Sequence, residues 1–393
     1  MIPKIALNLG LFAVLLLALA GFSAIALAGA RQADSSSLKT QSVVLIVLDG
    51  LRWQEVFDGP DASLMDKDHG GVEDPAALRR EFWRDTPEER RKAVLPFLWG
   101  TVAQKGVIFG NQHRDSIARV TNGLKFSYPG YNEMLAGHPD PRIDKNDFGP
   151  NPNATVFEWL DSLPALHGSV AVFATWNTFA DIFNVRRSGL FVQAGWLVSW
   201  PSPLTPRETM LKELYDTTTH IDSDGVLDSF MQAQLLDYLE TNRPRALFVG
   251  FGETDDWGHN GRYDLLLESA HHDDQGIAAL WDRMQAAPAY QGHVTFIITT
   301  DHGRGNSLEQ WKRHGKDVDG AENIWIAVIG PDTPPLGELA NAPPVTQSQI
   351  AATVAAFLGG DYRSAVPSAA PPLPLVLGFD EAASPLPVAK SRD

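Results

Sequence analysis

Six short apolar runs punctuate the chain: SVVLIVLDG (42–50), GVIFG (106–110), SVAVFATW (169–176), ALFVGFGETD (246–255), VTFIITTDHG (294–303) and IWIAVIG (324–330). They are rich in β-branched residues and show no apolar/polar alternation, which predicts strands buried on both faces. Helical periodicity fills the gaps at about 96–105, 155–163, 226–241, 264–287 and 347–358. Buried strands alternating with helices predict an α/β fold: a largely parallel central sheet with helices on both faces, in three layers. No internal repeat is visible.

Three stretches depart from this alternation. Residues 58–95 are charge-rich, and DPAALRREFWRDTPEERRKA reads as a surface helix. Residues 185–225 mix Trp, Pro and Thr without a period, and read as an insertion or lid over one end of the sheet. After Gly360 the chain carries six prolines between Pro367 and Pro387, which predicts an extended, peripheral or disordered Pro/Ala-rich tail over 361–393.

The N-terminus, MIPKIALNLGLFAVLLLALAGFSAIALAGARQ, has one Lys, then an apolar run from Leu9 to Leu27, then small residues that satisfy an A-x-A cleavage rule twice. This is the pattern of an export signal over residues 1–30, and it predicts a periplasmic or secreted protein. An uncleaved run would instead anchor the chain in the inner membrane through residues 5–27. Membrane contact is expected only through that segment.

Composition narrows the partners. The 393 residues are 44% hydrophobic, enough for one large domain, taken here as 42–360. Lys plus Arg total 32 against 48 Asp plus Glu, a formal charge of -16 with no compensating basic run, so binding to a nucleic-acid duplex is not expected. There is no cysteine, so a metal would have to be held by His, Asp or Glu.

Those three residue types recur where the strands end. Asp49 closes the first run, Asp255 follows the fourth and Asp301 closes the fifth. In open α/β sheets, ligands bind outside the carboxyl ends of strands, so these carboxylates would meet in one crevice. Their mutual repulsion calls for a cation. Taken alone, Asp49 before Gly50 also reads as a turn or cap residue. Asp301 has His302 beside it, Asp255 has His259 four residues on, and His314 lies in the segment that crosses the same sheet edge. These six candidate ligands exceed one tetrahedral site and suit two divalent ions about 3.5–4 Å apart, zinc by default, with manganese or iron as alternatives. A two-metal centre suits an anionic tetrahedral ester. That gives meaning to Ser127 in LKFSYPGYNEMLAG, a hydroxyl at a helix start that is otherwise only a cap.

VLDG ending in Asp49, Ser127-Tyr128-Pro129, Asp255…His259, Asp301-His302-Gly303 and His314-Gly315 occur in the order found in the alkaline phosphatase superfamily. The chain resembles that superfamily over about 42–360, nearest to its type I phosphodiesterase/nucleotide pyrophosphatase branch. The resemblance implies an alkaline-phosphatase-like three-layer fold. It implies one metal held by Asp49, Asp301, His302 and the Ser127 oxygen, and a second held by Asp255, His259 and His314. It also implies attack by Ser127 on the phosphorus of a small-molecule phosphate mono- or diester, through a phosphoseryl intermediate. Asn146 best matches the phosphate-binding Asn, with Asn151 and Asn153 competing.

Tyr131 stands where a sulfatase motif has Arg, which argues against a sulfatase. Phosphonate hydrolysis, a sulfatase-like hydrolysis, phosphoryl transfer or a non-catalytic metal-binding role remain as alternatives on the same core. Lys125, Arg142 and Arg304 are candidate anion clamps that also read as solvated charges. Trp257 reads either as a stacking surface for the leaving group or as packing beneath its loop. His220, His271 and His272 are surplus to the metal set.

Overall fold

The computed structural model describes residues 38–220 and 222–378. The expected export segment and residues 379–393 lie outside the described residues. Among the described residues no helix is long and apolar enough to cross a membrane.

All six apolar runs become strands of one eight-stranded sheet: β1 (Ser42–Leu48), β2 (Val107–Phe109), β4 (Val170–Ala174), β6 (Ala246–Phe251), β7 (Val294–Thr299) and β8 (Ile326–Ile329). β5 (Phe191–Ala194) and β9 (Gly337–Glu338) complete it, in the order β5-β4-β6-β1-β7-β8-β2-β9. A two-residue ribbon, β3 (Ala118–Arg119) with β10 (Val345–Thr346), stands apart. Every pairing is parallel except those of β8 with β7 and β2. Sheets of this kind need cover on both faces.

β1 shows why. All seven of its residues are buried. Val44, Ile46 and Leu48 belong to one apolar core, and Val43, Leu45 and Val47 to a second core on the opposite face. The 24-residue helix Tyr263–Ala286 and the helix Asp228–Thr241 supply residues to the first core. Helices Ser127–Ala136, Val156–Ser162 and Gln349–Phe357 pack into the second. A three-layer α/β architecture results, as the apolar pattern predicts.

The irregular stretches came out differently from their sequence expectations. The single surface helix expected within 58–95 is two helices, Pro75–Phe82 and Pro87–Val94. Asp74 caps the first, and a Thr86/Glu89 capping box with Pro87 at the first helical position restarts the second. Phe82 and Val94 are buried, so the pair is anchored rather than superficial.

Residues 185–225 are not only a lid. They contribute β5, the edge strand of the sheet, and a capped helix at Pro206–Thr217. The tail also departs from a peripheral reading over its described part, because Ala369, Leu373 and Val376 are buried in the second core.

Register then places the chemistry. β1 and β6 align Leu48 with Phe251, and β1 and β7 align Val47 with Thr299. Continuing two residues past the Val47–Thr299 pair brings Asp49 level with Asp301. It also sets the helix Glu253–His259, which carries Asp255, directly beyond β6.

Candidate metal centre

The seven residues implied by the sequence meet above β6, β1 and β7. His302 Nε2 sits at the middle, 3.4 Å from Asp49 Oδ1, 3.5 Å from Asp301 Oδ2 and 3.8 Å from Asp255 Oδ1. Ser127 Oγ is 3.4 Å from the same nitrogen. His314 Nε2 lies 3.8 Å from Asp255 Oδ1 and 2.8 Å from His259 Nε2, which is itself 3.2 Å from Asp255 Oδ2. Asp49, Asp301 and His302 form one compact donor group, and Asp255, His302 and His314 a second. His302 therefore borders both groups, a feature the sequence spacing did not show.

The first group has the properties of a cation site. Asp49 Oδ1 and Asp301 Oδ2 are buried and have no hydrogen-bond donor among the described residues. Burial, then the Asp301 and Asp255 charges, push the Asp49 carboxyl well above its usual range. Burial and Asp255 push Asp301 up to about 8. Two unpartnered carboxylate oxygens this close, in a buried site, are stabilised by a divalent ion. Burial also lowers His302 well below its usual value and His314 to about 4, which keeps both imidazoles neutral and able to ligate. The donor set of carboxylates and imidazoles fits zinc or manganese.

Supporting contacts fix the candidate ligands. The Tyr131 hydroxyl donates to Asp49 Oδ2 at 2.9 Å, Thr254 Oγ1 donates to the Asp49 carbonyl at 2.6 Å, and Gln347 Nε2 donates to the Asp301 carbonyl at 2.7 Å. The Gly50 amide donates to Asp301 Oδ1 at 3.1 Å. Gly50 has φ +62°, and a Cβ there would stand 2.5 Å from Asp255 Oδ1. A side chain at that position would block the centre. Gly130, in the first turn after Ser127, lets the helix press on the Asp301 backbone, since a Cβ would meet its carbonyl oxygen at 2.5 Å.

The loop before Ser127 is shaped by Glu133, fully buried on the same helix. Its carboxylate accepts from the backbone amides of Thr121 and Asn122 and from the side chains of Thr121, Asn122 and Ser348. Nothing in its local sequence marked Glu133, because its partners lie in a loop 11–12 residues earlier and at Ser348.

Asn146 Oδ1 accepts the Tyr128 amide at 3.0 Å, which holds the side chain at the start of the Ser127 helix. Of its competitors, Asn153 is committed elsewhere, its Nδ2 binding Asn132 and Asp140, whereas Asn151 accepts the Asn153 amide on Oδ1 and keeps a buried Nδ2 without a partner among the described residues. Among the basic candidates, Arg142 pairs with Asp140, and Lys125 donates to the Val318 carbonyl at 3.0 Å and pairs with Glu322.

Arg304 corrects the solvated-charge reading. It is 1% exposed and its guanidinium pairs with the Asp255 carboxylate. Burial works against an ionised Asp255, but Arg304 and His259 outweigh it and hold that carboxyl well below its usual range.

Trp257 faces a cavity of about 620 Å³ shared with Trp196, His220 and Phe230, whose lining includes none of the seven. His220 stacks on Trp196, and His271 Nδ1 bonds to the Val94 carbonyl oxygen, both away from the centre.

No family model matches the chain, and no curated protein matches it in sequence. Solved structures do. The lipoteichoic acid synthase LtaP from Listeria monocytogenes superposes with a TM-score of 0.50 at 10% identity, covering 83% of this chain and 74% of that one. A putative sulfatase from Bacteroides thetaiotaomicron VPI-5482 gives 0.49 at 12% identity, over 81% and 71% of the two chains. The phosphonate monoester hydrolase SpPMH from Silicibacter pomeroyi gives 0.48 at 13% identity, over 81% and 73%. At these identities the likeness shows the fold alone, an alkaline-phosphatase-like α/β architecture with a large, mostly parallel central sheet and helices around it.

Proposed function

We propose that the chain is a metal-dependent hydrolase of small-molecule phosphate esters in which Ser127 is the nucleophile. One observation carries this reading: the Ser127 hydroxyl, at a helix start, is 3.4 Å from His302 Nε2, which is within 3.5 Å of two buried carboxylate oxygens that have no donor among the described residues. Asp49, Asp301 and His302 with Ser127 would hold one divalent ion, and Asp255, His259 and His314 a second. Such ions lower the pKa of a hydroxyl and neutralise charge on a phosphoryl group.

The chain's own residues do the positioning. Tyr131 and Thr254 fix Asp49, and Gln347 and the Gly50 amide fix Asp301. The N-terminus of the ten-residue Ser127–Ala136 helix favours an incoming anion. Asn146, its carbonyl oxygen anchored on the Tyr128 amide, has its Nδ2 protons left to donate to a phosphoryl oxygen. In the first step the Ser127 hydroxyl gives up its proton, the Ser127 Oγ–P bond forms as the ester P–O bond breaks, and the departing alcohol takes up a proton. Water then cleaves the phosphoseryl ester and releases phosphate or a monoester. The sequence of residues 1–30 supports action outside the cytoplasm.

The test is turnover of p-nitrophenyl phosphate, bis-p-nitrophenyl phosphate, a phosphonate monoester and a sulfate ester by purified protein supplied with zinc or manganese. Metal-dependent cleavage of a phosphate ester is the expected result. Cleavage of the sulfate ester alone, or of none, would overturn the reading.

A further inference from the structure

The two donor groups do not carry the same charge. Asp49 and Asp301 bring two carboxylates, and among the described residues no lysine or arginine bonds to either. Asp49 Oδ2 takes the Tyr131 hydroxyl and Asp301 Oδ1 takes the Gly50 amide. In the second group Asp255 is the one carboxylate, and Arg304 already neutralises it.

Arg304 is built into that position. Its Nη1 donates to the Lys312 carbonyl and its Nη2 to the Asp255 carbonyl, both at 2.9 Å. Two glycines make its slot: a Cβ at Gly258 would stand 2.7 Å from Arg304 Cζ, and one at Gly50 would stand 3.0 Å from its Nε. The side chain is almost wholly buried. Leaving the slot would strand a buried guanidinium without the two carbonyls it bonds, a large desolvation cost. The oxygen it holds is Asp255 Oδ1, the same atom that His302 Nε2 and His314 Nε2 approach at 3.8 Å. A cation entering the second group must compete with a fixed cation for that oxygen, or make do with Oδ2.

We propose that Arg304 makes the metal centre asymmetric. Asp49, Asp301 and His302 take a divalent ion tightly, whereas Asp255, His259 and His314 take one weakly and exchange it readily. This inference rests on the metal-dependent reading above. Binding strength of a divalent ion rises with the net negative charge of its ligands, and a fixed positive charge one ligand away subtracts from it.

Full-length protein stripped by a chelator and titrated with zinc against a competing chromophoric chelator tests this directly. The wild type should show two affinity classes separated by at least a hundredfold, or a single tight ion with the second filling only at high zinc. Arg304→Met should tighten the weak class at least tenfold and leave the tight class unchanged, whereas Arg304→Lys, which keeps the charge, should preserve the split. Two equal classes in the wild type would overturn the inference and leave ester hydrolysis standing. A folded Arg304→Met protein with an unchanged split would also overturn it. Should Arg304→Met fail to fold, the wild-type split and the Lys variant decide: a split lost in the Lys variant would show that charge is not the cause. Absence of any bound zinc would overturn this inference, and absence of bound manganese as well would sink the metal-dependent hydrolase.

Discussion

The halves of the centre are built from similar side chains and behave as opposites. Asp49, Asp301 and His302 are buried, the two carboxyls are pushed upward, and two of their oxygens have no donor among the described residues. Around Asp255 the histidine His259 is half-exposed, an arginine supplies the countercharge, and the carboxyl is held low. A buried site with uncompensated carboxylates depends on a cation, whereas one with its own guanidinium does not. The lesson is that a ligand count read from motifs gives the size of a metal centre but not its charge, and charge decides which ion is held.

The comparison can be broken most severely at Asp301. Asp301→Asn should remove the tightly held ion and reduce ester turnover at least a hundredfold. Elemental analysis beside kinetics checks this, and unchanged metal content would show that Asp301 is not a ligand. Tyr131→Phe should have a smaller effect, about tenfold in metal affinity, because it deletes only the hydroxyl that orients Asp49. Its readout is zinc affinity with the far-ultraviolet spectrum unchanged, and a wild-type affinity would deny Tyr131 a positioning role.

The smallest effect concerns the metal-free protein. Asp301 keeps its proton up to about 8 in the folded chain against 3.8 when unfolded, so the folded state binds more protons across that window. A raised pKa gives stability that is lost as pH rises. The denaturation midpoint of the metal-free protein should therefore fall between about pH 5 and pH 8, and the fall should be shallower in Asp301→Asn. Added zinc should oppose it, since the ion binds the ionised carboxylate. A midpoint that rises over that range in metal-free wild type, with no difference in the variant, would contradict the account.

Much of this was readable from the chain. The six β-branched runs gave the sheet because strands buried on both faces need no partner information to be recognised. The candidate centre was readable because strand ends in register bring Asp49, Asp255 and Asp301 together, and two of these carry a histidine close by, His259 after Asp255 and His302 beside Asp301. What escaped is set by contacts distant in sequence. Tyr131 reaches Asp49 from 82 residues away, and Arg304 reaches Asp255 from 49. Neither has a local signature, and an arginine is ordinarily a surface charge. The edge strand β5 escaped for another reason: its four residues are only half-buried and sit among Trp and Pro, so no apolar run announces them.

The most direct test of the central claim is steady-state hydrolysis of p-nitrophenyl and bis-p-nitrophenyl phosphate by wild type and Ser127→Ala, with bound metal counted in the same preparations. The account predicts that the wild type turns over at least one ester, and that Ser127→Ala loses at least about a thousandfold in rate while keeping most of its metal and its fold. Full activity in the alanine variant, with the metal in place, would remove Ser127 from the chemistry and contradict the mechanism.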